Sequence, residues 1–133
     1  PYQYEDLSEI AKGQLRQESL YENSNHQILF LDTDLITVKI WSEVKYGIVD
    51  TQIIKEIEAR NYDYYLLCRP DLPWEYDPQR ESPDNRQELF YLYKKELTLL
   101  KKPFFEIYGI GEERLNNAVA AVKKIQKKIP TLK

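Results

Sequence analysis

The prediction of the fold starts from residues 28–34, which read ILFLDTD. A short, unbroken apolar run is typical of a β-strand that is covered on both faces, as in a parallel sheet. Two carboxylates, Asp32 and Asp34, follow the apolar run directly. Asp34 or Thr33 can cap the helix that begins at Leu35, because their side-chain oxygens accept hydrogen bonds from the first helical amides. Gly47 is expected to end the same helix. Residues 28–34 therefore predict a buried strand that ends in a polar turn.

Helix and strand signals alternate on both sides of this segment. Hydrophobic spacing, caps and helix-stopping residues predict five helices and two further strands. These are the helices Tyr4–Asn23, Leu35–Tyr46, Ile53–Arg60, Ser82–Lys101 and one from Glu112, and the strands Tyr64–Cys68 and Phe104–Tyr108. Such alternation predicts an α/β fold, a three-layer parallel sheet with helices on both faces. The last helix is expected to bury a stripe formed by Leu115, Ala118, Val119, Val122 and Ile125.

Composition limits the class of protein. The chain has 133 residues, the length of one domain, with 42% hydrophobic and 13% aromatic residues, which indicates a globular chain. The single cysteine, Cys68, excludes an intrachain disulfide and fits a reducing, cytoplasmic compartment. Because Cys68 falls in a predicted strand, it is expected to be inert core. The apolar runs are too short to span a membrane.

Charge is unevenly distributed along the chain. Residues 94–133 carry ten Lys and Arg against four Asp and Glu. A basic segment can attract phosphate or nucleic acid, but a solvated lysine-rich helix explains it more simply. Nucleic acid is therefore not expected as a partner of this part of the chain.

The carboxyl ends of the predicted strands are the expected site. In open α/β sheets, ligands bind outside these ends, which here are Asp32 with Asp34, Arg69, and Tyr108 with Gly109. Asp32 and Asp34 can hold a hydrated Mg²⁺, which prefers oxygen ligands; the alternative is that one of them merely caps a helix. Tyr108 and Gly109 are expected to contact a nucleotide.

Residues 70–83 form an irregular loop, because their four prolines exclude a regular element. Within it, Trp74 can stack on a flat ligand, and Asp77 can accept hydrogen bonds from sugar hydroxyls. Arg80 and Arg86 can clamp a phosphoryl group, because a guanidinium matches phosphate oxygens. The alternative is a tryptophan that covers the core, with surface salt bridges around it.

These elements occur in the order of a known family. Phe30-Leu31-Asp32-Thr33-Asp34 comes first, then Pro73-Trp74, and finally Glu113-Arg114-Leu115. In this order the chain resembles the ribosylnicotinamide kinase domain of NadR-type proteins. The resemblance implies a P-loop kinase fold with a lid at about residues 70–83. It also implies phosphorylation of nicotinamide riboside on its 5′-hydroxyl, with ATP and Mg²⁺ as cofactors. The expected partner is then a small nucleoside or nucleotide.

The resemblance also implies residue roles. Trp74 would stack on the nicotinamide ring and Asp77 would contact the ribose. Arg80 and Arg86 would bind the ATP phosphates as catalytic residues, and Asp32 and Asp34 would lie near the metal. In the family a glycine occupies the lid position where this chain has Pro78, and a proline there is expected to stiffen the lid.

A second departure concerns the phosphate-binding loop. Such kinases begin with a strand and the motif G-x-x-x-x-G-K-[ST], which this sequence does not contain. Residues 1–133 are therefore interpreted as a single partial P-loop kinase-like domain that lacks its first strands and is inactive alone. A fused upstream domain or a homo-oligomer remains open. The alternatives are a non-catalytic NAD- or nucleotide-binding regulatory module and a P-loop ATPase with another substrate.

Overall fold

The computed structural model describes residues 3–21, 28–72 and 86–128. These residues form five helices and two strands: α1 Tyr4–Tyr21, α2 Leu35–Tyr46, α3 Thr51–Ala59, β1 Tyr65–Cys68, α4 Arg86–Leu99, β2 Phe104–Ile107 and α5 Glu112–Lys128. The chain divides into two compact units, Pro1–Asn61 and Tyr62–Lys133. Among the described residues, no helix is long and apolar enough to cross a membrane.

The described residues of the first unit form three helices, with α2 packed against both α1 and α3. Each outer helix contributes a pair of buried side chains four residues apart, which places both on one face. The pairs are Leu7 with Ala11, and Ile53 with Ile57. Helix α2 buries Leu35, Ile36, Val38 and Ile40, each at most 4% exposed. This central helix is therefore the core of the unit.

The ends of α2 confirm two predictions. Asp34 is the N-cap, and its Oδ1 accepts a hydrogen bond from the Thr37 amide at 3.4 Å. Gly47 ends the helix in the left-handed conformation, with φ at 76°, and its N–H donates to the Glu43 carbonyl at 2.9 Å. The buried hydroxyl of Ser42 donates to the Ile48 carbonyl just beyond. Short local signals thus fix both ends of α2.

The strand predicted at residues 28–31 is wrong. These residues are irregular, and Ile28, Leu29 and Phe30 are 39%, 44% and 66% exposed. A strand persists only where a neighbouring strand pairs its amides and carbonyls. None of the described residues forms such a ladder with this segment. The apolar run therefore lacks the pairing on which the prediction depended.

The second unit contains a parallel pair of strands, as predicted. Tyr65 is opposite Phe104, and Cys68 is opposite Ile107. The ladder continues past β1, because the Arg69 N–H donates to the Ile107 carbonyl at 2.8 Å. Helix α4 packs against β1, and α5 packs against β2. The described residues show a two-stranded sheet, so the parallel α/β pairing is confirmed and the three-layer sheet stays a prediction.

Two burial predictions in this unit are wrong. Cys68 is exposed, because successive strand side chains point to opposite faces and Leu67 takes the buried one. On α5 the predicted stripe is wrong in part: Leu115 and Val119 are 63% and 43% exposed and Ala121 is buried instead, whereas Ala118, Val122 and Ile125 are half-buried. The strand beneath α5 is four residues long, so it covers a narrower part of the helix than the predicted stripe requires.

Candidate functional site

Parallel pairing brings the polar ends of β1 and β2 to one edge of the sheet. Arg69 follows β1, and Tyr108 and Gly109 follow β2. Their neighbours Asp71 and Arg114 interact with the same edge. Ligands of α/β proteins bind at such edges, so this cluster is the candidate site of the second unit.

Gly109 is required by the geometry of the turn after β2. Its φ is 97°, a conformation that side chains disfavour. A Cβ added there would lie 3.1 Å from the side chain of Glu113. The Gly109 N–H donates to Oδ2 of Asp71 at 2.9 Å. The turn after β2 is thereby attached to the segment after β1.

Arg114 joins both strand ends. Its Nη1 donates to the Gly109 carbonyl at 3.2 Å, and its Nη2 donates to the Arg69 carbonyl at 3.0 Å. Asn117, one turn further along α5, donates through Nδ2 to the Tyr108 carbonyl at 2.9 Å. Side chains of α5 thus determine the path of the turn that precedes it.

A charged network lies beside the turn. Nε of Arg69 contacts Oε1 of Glu106 at 3.1 Å, and Nζ of Lys94 contacts Oε2 of the same carboxylate at 3.2 Å. Partial burial raises the pKa of Glu106, but the hydrogen bonds from Lys94 and Arg69 outweigh it and hold the pKa below its ordinary value. The Arg69 guanidinium carbon also lies 5.9 Å from the centre of the Tyr108 ring, within cation–π range.

The predicted arginine and loop residues have different outcomes. Arg86 is the first residue of α4, and its Nη1 donates to the Leu72 carbonyl at 2.6 Å. This contact holds the residues on either side of 73–85 together. Trp74, Asp77 and Arg80 lie outside the described residues. The roles predicted for these four side chains therefore stay predictions.

Asp32 and Asp34 belong to the first unit and differ in their surroundings. Asp34 caps α2, as described above, whereas the exposed Asp32 lines a cavity of about 330 Å³ together with Gln14 and Glu18 of α1. Glu18 is 6% exposed and pairs with Arg60 at 3.8 Å. Within residues 3–21, 28–72 and 86–128, no group of three His, Cys, Asp or Glu can hold a metal ion.

The carboxylates nevertheless fit one mode of Mg²⁺ binding. Mg²⁺ is often held by one or two carboxylates together with waters and substrate phosphates, without a full protein cage. The exposed carboxylate of Asp32 suits this mode, whereas Oδ1 of Asp34 already accepts the Thr37 amide. Asp32 is therefore the better of the two predicted ligands.

Sequence reasoning missed the roles of Asp71, Arg114 and Asn117. One signal was available for Arg114, which is the third residue of α5. A cation in the first turn of a helix opposes the helix dipole, so its presence there suggests a specific partner. Asp71 and Asn117 carry no comparable signal, because each binds a backbone group outside its own segment.

One comparison with known proteins bears on this site. A family model described as an AAA domain matches residues 1–114. The matched range contains both strands, the turn after β2 and Arg114.

Proposed function

The chain belongs to the AAA domain family, whose members are P-loop NTPase-like proteins, and we propose that it binds ATP at the carboxyl ends of β1 and β2. The observation that carries the proposal is the cluster at this edge: the Arg69–Tyr108 pair, the left-handed turn at Gly109, and Arg114 across both strand ends. Membership of the family suggests that the ligand is a nucleotide, and the cluster offers a polar surface that can bind one.

The turn after β2 suits the base of the nucleotide better than its phosphates. Helix N-termini normally attract phosphate, but α5 begins with Glu112 and Glu113. These two carboxylates repel an anion at the helix start. An exposed aromatic ring is present instead, because Tyr108 is 48% exposed. Aromatic rings stack on the π-faces of nucleobases whatever the identity of the base.

As the reaction, we propose phosphoryl transfer from ATP to the 5′-hydroxyl of a small nucleoside, nicotinamide riboside. The resemblance in residues 30–34 and 73–80 supports this substrate. Trp74 would stack on the cationic nicotinamide ring, and Asp77 would bind the ribose. Arg80 and Arg86 would bind phosphate oxygens, where guanidinium groups stabilise the charge of the transferring group.

Mg²⁺ is proposed as the cofactor because the resemblance implies it. Within the first unit the proposed ligand is Asp32, with Asp34 remaining the N-cap of α2. When bound, the ion neutralises the charge that develops on the phosphates. Replacing Asp32 with Asn is expected to raise the Mg²⁺ concentration that half-saturates the reaction, and the exposed neighbour Thr33 offers a control, Thr33→Ser.

The test is a panel of nucleosides incubated with ATP, Mg²⁺ and the full-length protein. We expect labelled phosphate to appear on nicotinamide riboside. Trp74→Ala should reduce the amount of this phosphorylated product and leave the unfolding midpoint unchanged. The control is Trp41→Ala, which removes the other tryptophan, an exposed residue of α2. Phosphate on a different nucleoside would identify a related kinase or ATPase. ATP binding without turnover would identify a regulatory nucleotide-binding module.

A further inference from the structure

The turn after β2 is held by side chains that come from elsewhere in the unit. The Gly109 N–H, the Gly109 carbonyl and the Tyr108 carbonyl each bind a side chain, respectively that of Asp71, Arg114 and Asn117. These contacts span 38, 5 and 9 residues of sequence. The turn is therefore not an independent loop, because three of its backbone groups are fixed by residues outside it.

Arg114 has the more demanding position of the three. Its two terminal nitrogens bind two different backbone carbonyls, and those carbonyls follow two different strands. A planar guanidinium can serve both at once because its donors have a fixed fork geometry, whereas a lysine ammonium is a point donor on a flexible stem. One rigid side chain thus bridges the ends of β1 and β2, in addition to the ladder bond from the Arg69 N–H to the Ile107 carbonyl.

The same contacts limit how a ligand can use Gly109. A backbone N–H carries a single hydrogen, and at Gly109 that hydrogen is directed to the Asp71 carboxylate. Gly109 therefore contributes its left-handed conformation, with φ at 97°, instead of a donor to the ligand. Ligand contacts at this turn are left to the Tyr108 ring and to the residues after Gly109.

We propose that Arg114 and Asp71 are positioning residues for nucleotide binding, which hold the Tyr108–Gly111 turn in the shape that receives the base without touching the nucleotide. This inference rests on the proposed binding of ATP at this edge. It adds that recognition of the base depends on the two strand ends being held together by Arg114, with Asp71 orienting the Gly109 amide. The rival role for Arg114 is direct contact with phosphate oxygens.

The test compares two probes, ADP and inorganic tripolyphosphate. ADP carries a base and phosphates, whereas tripolyphosphate carries phosphates alone. Binding of each probe to the full-length protein and to its Arg114→Ala variant is measured by calorimetric titration. The variant should bind ADP about tenfold more weakly than wild type, a typical effect of losing a hydrogen bond from a charged donor. Tripolyphosphate binding should change less than about twofold, since Coulomb attraction from one distant charge is weak in water. Arg114→Lys should be intermediate. Lys123→Ala removes one positive charge from an exposed position of the same helix and should leave both affinities unchanged.

A second measurement follows the turn itself. Hydrogen exchange at the Gly109 amide should accelerate in Asp71→Ala, because its acceptor is lost, and stay slow in Asp71→Asn, which keeps an acceptor oxygen. ADP affinity should fall in the first variant and be retained in the second.

In a phosphoryl-transfer assay, a positioning role raises KM for ATP and leaves kcat at saturating ATP unchanged, whereas general unfolding lowers the active fraction without changing KM.

The outcomes are distinguishable. Equal loss of ADP and tripolyphosphate binding in Arg114→Ala would overturn the inference in favour of direct phosphate contact. Unchanged ADP affinity in both Arg114→Ala and Asp71→Ala, with faster exchange at Gly109, would overturn it because the shape of the turn would not matter. Wild-type protein that binds no nucleotide would contradict the proposed function itself, and the inference with it. If Arg114→Ala does not fold, Arg114→Lys and Asp71→Ala carry the same comparison.

Discussion

Residues 28–31, ILFL, and residues 65–68, YLLC, are two apolar runs of equal length in different units. The second is strand β1, which pairs with β2 and buries Leu67. The first is irregular, and three of its four side chains are at least 39% exposed. Apolar composition is the same kind of signal in both runs. The difference shows that a strand is a property of a pair of segments, because backbone groups need partners in a ladder.

The largest effect expected from this comparison is on stability. Ile107 is 3% exposed in β2, and Ile107→Ala should lower the free energy of unfolding by about 2–5 kcal/mol, because it removes buried methyl groups and leaves a cavity. Leu29 is 44% exposed, so Leu29→Ala removes less buried apolar area. It should cost less than about 1 kcal/mol. Urea unfolding measures both.

Equal destabilisation by the two variants would contradict the comparison. It would mean that residues 28–31 are as well packed in solution as β2 is. Val44→Ala, at an exposed position of α2, controls for the general effect of truncating an aliphatic side chain in the first unit.

The second prediction compares two left-handed glycines. Gly47 has a φ of 76° and no atom within 4 Å of an added Cβ, whereas Gly109 has a φ of 97° and would place its Cβ 3.1 Å from Glu113. Gly47→Ala should therefore cost about 1 kcal/mol, the backbone penalty alone. Gly109→Ala should cost more, about 2 kcal/mol, because close contact adds to that penalty. Thermal unfolding of the two variants checks the order.

Glu113→Ala provides the second arm of this test. Removing the side chain that an added Cβ would meet should reduce the extra cost of Gly109→Ala, so that the double variant approaches the Gly47→Ala value. If the double variant keeps the full cost, crowding by Glu113 is not the cause.

How much the sequence reveals depends on how far apart the interacting residues are. The ends of α2 were predictable because Asp34 binds an amide three residues away and Gly47 binds a carbonyl four residues away. The edge formed by Arg69, Tyr108 and Gly109 was predictable from strand direction. The contacts of Asp71 and Arg114 span 38 and 45 residues; nothing local to Asp71 indicates its partner, and the local signal at Arg114 indicates that a partner exists without identifying it. The failure at residues 28–31 has the same origin, since pairing is also non-local.

The third prediction concerns the local signal that precedes α2. Asp34→Ala should lower stability by about 1 kcal/mol, the usual cost of losing an N-cap side chain. Asp34→Ser retains a capping oxygen and should restore most of the loss. Asp32→Ala, two residues earlier at an exposed position, should leave the unfolding midpoint nearly unchanged. A stability loss in Asp32→Ala as large as that in Asp34→Ala would show that the cap is misassigned.

The smallest expected effect is that of replacing Glu106. It depends on pH and is compared below with the effect of replacing a glutamate of the first unit. The pKa of Glu106 is held below its ordinary value by the hydrogen bonds of Lys94 and Arg69, which outweigh the opposing effect of burial. A carboxylate with a depressed pKa in the folded state stabilises the protein above its unfolded-state pKa, about 4.3 for glutamate. That contribution is lost as pH falls through the lower folded-state pKa. Glu106→Gln should therefore be less stable than wild type at pH 7, and the difference should shrink as the pH falls below about 4.3.

The matched control for Glu106 is Glu43 of α2. Glu43 pairs with a single lysine, Lys39, at 2.7 Å and is 45% exposed, whereas the Glu106 side chain is 24% exposed and lies between two cations. Glu43→Gln should cost about 0.3–0.5 kcal/mol at pH 7, as exposed helical pairs do. Glu106→Gln should cost more, up to about 1 kcal/mol, because two cations lose the negative charge between them and one of them loses its acceptor oxygen. Urea unfolding of both variants at pH 7 decides the order. A larger loss in Glu43→Gln would mean that solvent, and not the Lys94 and Arg69 pair, sets the energy of the Glu106 carboxylate.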